Sequence, residues 1–323
     1  MVFFLFALSA VIVVYAAVQL NRFGDVISRK SSLSGAVVGT FLIAGATSLP
    51  ELTTSLTAVY IDNPDIAVGN MLGSNTFNLL ILAVVDMIYR RKRMFNTINQ
   101  KQHLPSAIAG IVLTMVVVLS LILPFQASLL HIGWEMFVLV ALYVVTMKFF
   151  GNSEEEEEEM DEAAAAGKDY TLKGASIGFG VAAVVVFAAG SALSIFGDQL
   201  AQQTGMSSSF VGSFLIAAST SLPELVTVLV AFRMANYGMA VGSILGSNLF
   251  NLQLLAVTDV FYTKGAILTV LSSSHLPIAL LSVAMLLLTV LTIGRKPRTN
   301  SFYYAAPSLL IILMYFITSY NLF

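Results

Sequence analysis

The stretch TSLPEL, Thr47–Leu52, returns letter for letter as Thr220–Leu225 in a chain where almost every neighbour is apolar. Each copy places an acid next to a helix breaker, in the part of the sequence that tolerates charge least. A carboxylate in the middle of a membrane span costs about 2.5–3.5 kcal/mol on insertion scales. Spending that twice, with proline beside the charge both times, needs a function to account for it.

The surroundings make the cost real. Of 323 residues, 57% are hydrophobic and 11% charged, against about 25% charged in soluble domains. Mean hydropathy is +0.87. Apolar runs long enough to cross a bilayer recur along the whole chain, without the ten-residue alternation of a barrel, so the expected class is an all-α polytopic membrane protein. Ten spans are expected near 2–20, 33–59, 65–89, 104–124, 130–150, 171–197, 207–233, 237–262, 275–294 and 303–322. The first lacks a basic leader and a clear cleavage site and reads as a retained span. There are no cysteines, which removes disulfides, thiolate metal sites and cysteine nucleophiles.

Orientation follows from the basic residues. With both termini outside, fifteen of the sixteen Lys and Arg fall on the cytoplasmic side and only Lys264 lies outside. The loop between the fifth and sixth spans carries six consecutive glutamates, Glu154–Glu159, and lies inside. It lacks the spaced Asp/Asn-Gly-Glu pattern of an ordered calcium loop and reads as a solvated linker. The domain division is a first five-helix repeat over 1–150, an acidic linker over 151–170 and a second five-helix repeat over 171–323.

A shift of 173 residues superposes the chain on itself. Positions 39–89 and 212–262 share 30 identities in 51 ungapped positions. The shift spans five helices, so equivalent helices run in opposite directions, the inverted-topology repeat typical of secondary transporters. Packing alone accounts for matching apolar periodicity, but not for polar residues being the best-matched positions.

The matched polar residues suit a cation. Glu51 and Glu224 have no Lys or Arg in any span to pair with, so they must be protonated or bind cations. Pro50 and Pro223 break the helix before each acid and free carbonyls one turn back. Thr47, Ser48, Thr220 and Ser221 add hydroxyls at the breaks. Ser74 and Ser247 add further hydroxyls, with Asn78 and Asn251 four residues on and so on the same helix face. These are hard oxygen ligands, suited to sodium and calcium. Asp86 and Asp259 also match, near span ends, where capping or gating is as good an account as ion binding. Asp25 and Asp198 read as turn formers at helix ends. His103 and His275 read as caps or anchors at span starts, and Glu135 sits near an interface beside Trp134. Asn75 and Asn248 share the GSN motif but face elsewhere.

With TSLPEL and GSNxFN paired in this order and duplicated, the sequence resembles the sodium/calcium exchangers of the cation/calcium antiporter superfamily, in a compact prokaryotic form. The resemblance implies that Glu51 and Glu224 are the principal calcium ligands, with Thr47 and Thr220 lending backbone oxygens. It implies sodium sites on Ala44, Thr47, Ser48 and Ser74 on one flank and on Ala217, Thr220, Ser221 and Ser247 on the other. Asn78 and Asn251 line the middle, and the first and sixth helices slide across the rest. Many relatives carry an acid where this chain has Asn251, which bears on the number of sodium ions and makes potassium co-transport less expected. Leu-Pro before each Glu, where proton/calcium exchangers of the superfamily show Gly-Asn, favours sodium.

The expected function is therefore calcium/sodium antiport by alternating access across the plasma membrane, with calcium, sodium and the lipid bilayer as partners. No cofactor and no nucleic acid is expected, and a monomer suffices. Proton/calcium exchange through the same glutamates and transport of another divalent, such as magnesium, are the alternatives. A cation channel lined by the same oxygens is a further rival. No HExxH, Ser-His pair or cysteine supports an intramembrane hydrolase, so the chain is not read as an enzyme.

Overall fold

The structure, a computed structural model, describes residues 1–30, 46–123, 128–150, 170–297 and 300–323. Ala44 and most of the expected second span's first half lie outside the described residues, as does the acidic run.

Described residues are nearly all helical. In chain order they form α1 (Val2–Lys30), α2 (Leu49–Tyr60), α3 (Pro64–Ile88), the short α4 (Met94–Thr97), α5 (Gln100–Ile122) and α6 (Trp134–Phe150). After the linker come α7 (Leu172–Thr204), α8 (Ser208–Thr220), α9 (Leu222–Arg233), α10 (Tyr237–Phe261), α11 (His275–Gly294) and α12 (Ser301–Leu322). Seven of these are long and apolar enough to cross a membrane, and α8 with α9 makes an eighth if the bent pair is one span. A two-stranded hairpin pairs Ser128–Leu129 with Ile132–Gly133. Its turn residues Leu130 and His131 have φ of 53° and 72°, the doubly left-handed geometry of a tight hairpin.

Two helices are central. Within the spanning windows, 78% of α3 and 67% of α10 is buried, against 22–33% for α1, α5, α7 and α12. This is why both lack a strong apolar stripe: a helix packed on all sides has no solvent or lipid face to distinguish. Small residues permit the closest approach. A Cβ on Gly73 of α3 would sit 2.1 Å from the carbonyl oxygen and 2.4 Å from the Cα of Ser213 in α8, and one on Gly212 would sit 2.7 Å from the Ile66 carbonyl. The α8 stretch Val211–Ile216 is wound as a π-helix at this contact. Outside that core, α1 and α7 pack on each other through Ala16, Ala17, Leu20, Ala182 and Val186, a separate small cluster.

The 173-residue repeat is visible atom by atom at the turn before each central helix. Asp62 and Ala235 have φ of 64° and 57°. The following asparagines return their N–H to Ala58 and Ala231 carbonyls at 2.8 and 3.0 Å. Asn63 Oδ1 then accepts from Ile66 N at 3.2 Å and Asn236 Oδ1 from Met239 N at 2.9 Å, capping α3 and α10.

Several boundaries differ from those expected. α1 and α7 run on to Lys30 and Thr204, so Asp25 and Asp198 lie inside helices rather than at turns. Gly197-Asp198 is followed by the good helix formers Gln199, Leu200 and Ala201, which outweigh a single glycine, and α1 is carried past Gly24-Asp25 by the packing of Phe23 on Gly178 and Tyr170. α5 starts at Gln100, ahead of Pro105, because a proline in a first turn or two displaces few hydrogen bonds.

Candidate cation site

The two TSLPEL segments fold alike. Ser48 (φ −97°, ψ 9°) and Ser221 (φ −89°, ψ 5°) both leave the helix at the same point, and α2 and α9 each restart with Leu, Pro and Glu. Proline is tolerated there because the first helical residues need no intrahelical donor. The axis bends by 42° between α8 and α9. Each glutamate consequently sits in the first turn of a helix, where free N–H groups and the helix dipole favour negative charge.

Both acids are enclosed. Glu51 is 1% and Glu224 2% exposed, and among the described residues neither has an ion-pair partner. The carboxyls feel each other's charge. Hydroxyls from both halves approach Glu51: Ser221 Oγ lies 3.4 Å from Oε1, with Thr220 from the second half and Ser74 from the first beside it. Thr220 Oγ1 and Ser74 Oγ are 3.5 Å apart. Ser48, the repeat counterpart of Ser221, is buried with its Oγ unpartnered, and Ser247 is 9% exposed. Ala217 is fully buried, and its carbonyl accepts from Ser221 N at 3.0 Å and Thr220 Oγ1 at 3.3 Å. Thr47 is half-buried at the break.

The asparagines complete the arrangement in a way the sequence reading missed. Asn75 and Asn248 were expected to face away from Asn78 and Asn251, yet the four form one exchange across α3 and α10. Asn75 Nδ2 donates to the Asn248 carbonyl at 3.2 Å, and Asn248 Nδ2 to the Asn75 carbonyl at 3.1 Å. Asn78 Nδ2 donates to Asn248 Oδ1 at 3.0 Å, and Asn251 Nδ2 to Asn75 Oδ1 at 3.1 Å. The amide nitrogens of Asn78 and Asn251 are thereby used up, and their Oδ1 atoms are left buried and unpartnered. Glu51 Oε2 and Glu224 Oε2 are buried and unpartnered as well. Buried polar atoms are almost always satisfied, so acceptors left open together mark a place built for a donor or a cation.

A second missed residue is Asn70, fully buried in α3. Its Nδ2 donates to the Glu51 carbonyl at 3.1 Å, Thr54 Oγ1 at 2.6 Å and Ser55 Oγ at 3.0 Å, while its Oδ1 accepts from Thr220 at 3.2 Å. The repeat places Ser243 there, and Val226, Val228 and Val230 where the first half has Thr53, Ser55 and Thr57. The signal was available in the mismatches at Thr53, Ser55 and Thr57, which are hydroxyl-bearing on the first side and valine on the second.

Asp86 and Asp259 cap rather than line the site. Asp86 accepts from Tyr304 Oη and, at 2.7 Å, from Ser308 Oγ, tying α3 to α12. Asp259 accepts from Gly133 N at 2.8 Å and Ile267 N at 2.6 Å, tying α10 to the hairpin before α6. Asp198 accepts from Asn63 Nδ2 at 2.7 Å and Gln202 at 2.7 Å. His275 Nε2 lies 2.8 Å from Asp65 Oδ1, an anchoring contact, and His103 and Glu135 are buried.

Two helix breaks, two buried acids without an ion-pair partner among the described residues and the open neutral oxygens of Ser48, Asn78 and Asn251 thus lie within a helical membrane protein. Comparison with known proteins gives the family. Residues 1–151 and 174–323 match the sodium/calcium exchanger protein family, and the chain belongs to it. Its relatives include the putative antiporter CaxA of Alkalimonas amylolytica, 26% identical over 90% of each chain. The sodium/calcium exchanger MaX1 of Methanosarcina acetivorans is 28% identical over 80% of this chain and 83% of that one. Among solved structures, the H+/Ca2+ exchanger CAX superposes with a TM-score of 0.68 at 14% identity, covering 98% of this chain and 88% of that one. The sodium-calcium exchanger NCX_Mj gives 0.56 at 22%, covering 98% of both.

Proposed function

We propose that this chain is a calcium/sodium antiporter of the plasma membrane, built from ten spans in two inverted five-helix halves, 1–150 and 171–323, joined by a cytoplasmic acidic linker. The observation that carries the reading is the set of buried, unpartnered oxygens of Glu51, Glu224, Asn78, Asn251 and Ser48. Every one is a hard acceptor, two carry formal charge, and no basic side chain answers them. A dehydrated calcium ion wants six to eight oxygens, several of them carboxylate; sodium accepts the same donors.

Exchange follows from competition. Two carboxylates close together in a low-dielectric interior repel, and one divalent ion or two monovalent ions between them replaces that repulsion with attraction. Calcium neutralises the pair in one step. Sodium does so at the flanks, on Thr47, Ser48 and Ser74 with Ala44, and on Thr220, Ser221 and Ser247 with Ala217. If only a neutralised site allows the halves to rearrange, each crossing carries one kind of ion or the other, and the inward sodium gradient extrudes calcium. Asn251 keeps the formal charge at two, so the site balances one calcium or two sodium ions. The protein acts as a monomer in the bilayer.

Relatives bear names of both sodium- and proton-coupled type, and Leu-Pro before each acid supports sodium. Calcium uptake into proteoliposomes decides the matter. Uptake driven by an outward sodium gradient and abolished in Glu51→Gln is the expected result. Uptake driven by an outward proton gradient alone overturns sodium coupling, and uptake that needs neither gradient overturns antiport.

A further inference from the structure

Two grooves on the outer surface are copies of each other by the internal repeat. The first, of about 370 Å³, lies between α5 and α6 and is lined by Pro105, Ile108 and Val112 on one wall and Leu142, Val145 and Thr146 on the other. The second, of about 470 Å³, lies between α11 and α12, with Pro277, Leu280 and Ala284 facing Met314, Thr318 and Asn321. A shift of 172 residues carries Pro105, Ile108, Val112, Leu142 and Thr146 onto Pro277, Leu280, Ala284, Met314 and Thr318. Ile108, Val112 and Leu280 are each 45–46% exposed, so both grooves open sideways, where a spanning helix meets hydrocarbon.

The grooves differ at one end. On α5, Lys101, Pro105, Ile108 and Val112 follow one another at spacings of four, three and four and so share one helix face. On α6, Lys148 lies one turn beyond Val145. Both lysines are exposed and without an ion-pair partner among the described residues. They therefore continue the two walls past the same end of the first groove, with stems long enough to lie along apolar surface while the ammonium reaches polar surroundings. Pro105 also leaves the Lys101 carbonyl without its helical donor. At the matching end of the second groove the repeat places Ser273 and Tyr320, which carry no charge.

We propose that the α5–α6 groove is a binding site for an anionic phospholipid, one acyl chain lying along Ile108, Val112, Leu142 and Val145 and the headgroup phosphate held between Lys101 and Lys148. The repeat-equivalent groove takes a lipid chain without selecting the headgroup. The charge at the mouth names the occupant: an apolar slot ending in two free ammonium groups fits a molecule that joins a hydrocarbon chain to an anion. With the orientation proposed above, the selective groove faces the cytoplasmic leaflet, where basic residues near the surface attract anionic lipid.

The test is native mass spectrometry of the purified full chain, titrated with phosphatidylglycerol and with phosphatidylcholine of identical chains. The wild type is expected to retain one phosphatidylglycerol with about tenfold preference over phosphatidylcholine, on the scale of two surface lysines. Lys101→Gln with Lys148→Gln brings the preference to near parity and still retains one lipid. Val112→Trp, at an exposed position, fills the slot and abolishes the preference for phosphatidylglycerol while the second groove keeps its unselective lipid, whereas Leu280→Trp in the second groove leaves the preference intact. An unchanged preference in the lysine double variant overturns the proposal, as does an unchanged preference in Val112→Trp. An equal loss of preference in Lys92→Gln with Lys296→Gln also overturns it, because diffuse attraction then suffices.

Discussion

At the scale of single residues, the asparagine exchange shows how a site is kept open without leaving it loose. Asn78 and Asn251 each have the amide turned so that the nitrogen is bonded and the oxygen is left open in the interior. Asn248 and Asn75 impose that orientation by accepting from the two amide nitrogens. A change at Asn75 therefore acts through another side chain. Asn75→Ala strands the Asn251 Nδ2 donor in a dry interior, a loss of about 1–3 kcal/mol, and frees the amide to flip its donor toward the cation. The expected outcome is a lower melting temperature in detergent together with weaker calcium binding by isothermal titration. Asn75→Asp separates the two effects, since it keeps an acceptor for Asn251 while adding a charge beside the site. If calcium affinity is untouched in both variants, Asn75 has only a packing role. Asn70 makes a parallel case on the first flank. Asn70→Ala removes the support of the Glu51 carbonyl and of Thr220 at once, so calcium-dependent stabilisation is expected to fall while the thermal midpoint without calcium falls by less.

Elements obey steric rules that the alphabet reveals only in part. The helix breaks at Ser48 and Ser221 were legible because the same Leu-Pro-Glu follows a hydroxyl pair in both copies, whereas Pro105 and Pro307 sit inside continuous helices. The π-wound stretch of α8 was not legible, since Val211–Ile216 reads as ordinary apolar helix; its winding is set by the need to lay Ser213 against Gly73 of another helix. Helix ends at Lys30 and Thr204 were missed for a related reason. Glycine–aspartate punctuates a sequence locally, but packing of Phe23 on α7 carries α1 through it, and packing of Ile216 and Val211 of α8 against Gly197 does the same for α7. The aspartates Asp86 and Asp259 were recognised as matched without being assigned, because their partners, Tyr304 with Ser308 and the Gly133 and Ile267 amides, are far away in sequence. The Gly73 contact yields a sharp prediction. Gly73→Ala drives a methyl group into Ser213 backbone that has no rotamer with which to yield, and overpacking of this kind costs about 1–3 kcal/mol or more. Gly180 of α7 has open space around its Cβ position, so Gly180→Ala gains helix propensity, about 1 kcal/mol at most. Melting followed by size-exclusion fluorescence is expected to fall for Gly73→Ala and hold or rise for Gly180→Ala. Equal midpoints for the two variants remove the close α3–α8 approach from the account.

For the whole molecule the proposed function turns on one sequence pattern that occurs twice and that the ten-span reading uses in opposite senses. The turns at Asp62 and Ala235 are superposable down to their left-handed residue, their asparagine cap and their return hydrogen bonds. Two identical turns separated by five crossings must face opposite sides of the membrane, whereas the same turns separated by four or six crossings face the same side. The repeat thus turns a question about ten spans into a question about two residues. The chain contains no cysteine, so a single introduced thiol reports without background. Asp62→Cys removes only an exposed ion pair to Lys264, a contact worth little, and Ala235→Cys keeps the size and the backbone geometry of its turn. In intact cells a membrane-impermeant maleimide is expected to label Asp62→Cys within minutes and to reach Ala235→Cys only after permeabilisation. Lys264→Cys is expected to behave like Asp62→Cys, since the ion pair holds the two on one side, and Lys92→Cys like Ala235→Cys. Labelling of Asp62→Cys and Ala235→Cys from the same side breaks the inverted repeat and alternating access by exchange of halves with it. Labelling from opposite sides but with Lys92 outside keeps the inversion and turns the whole chain over in the bilayer, while the ion gradients, not the orientation, still set the direction of exchange.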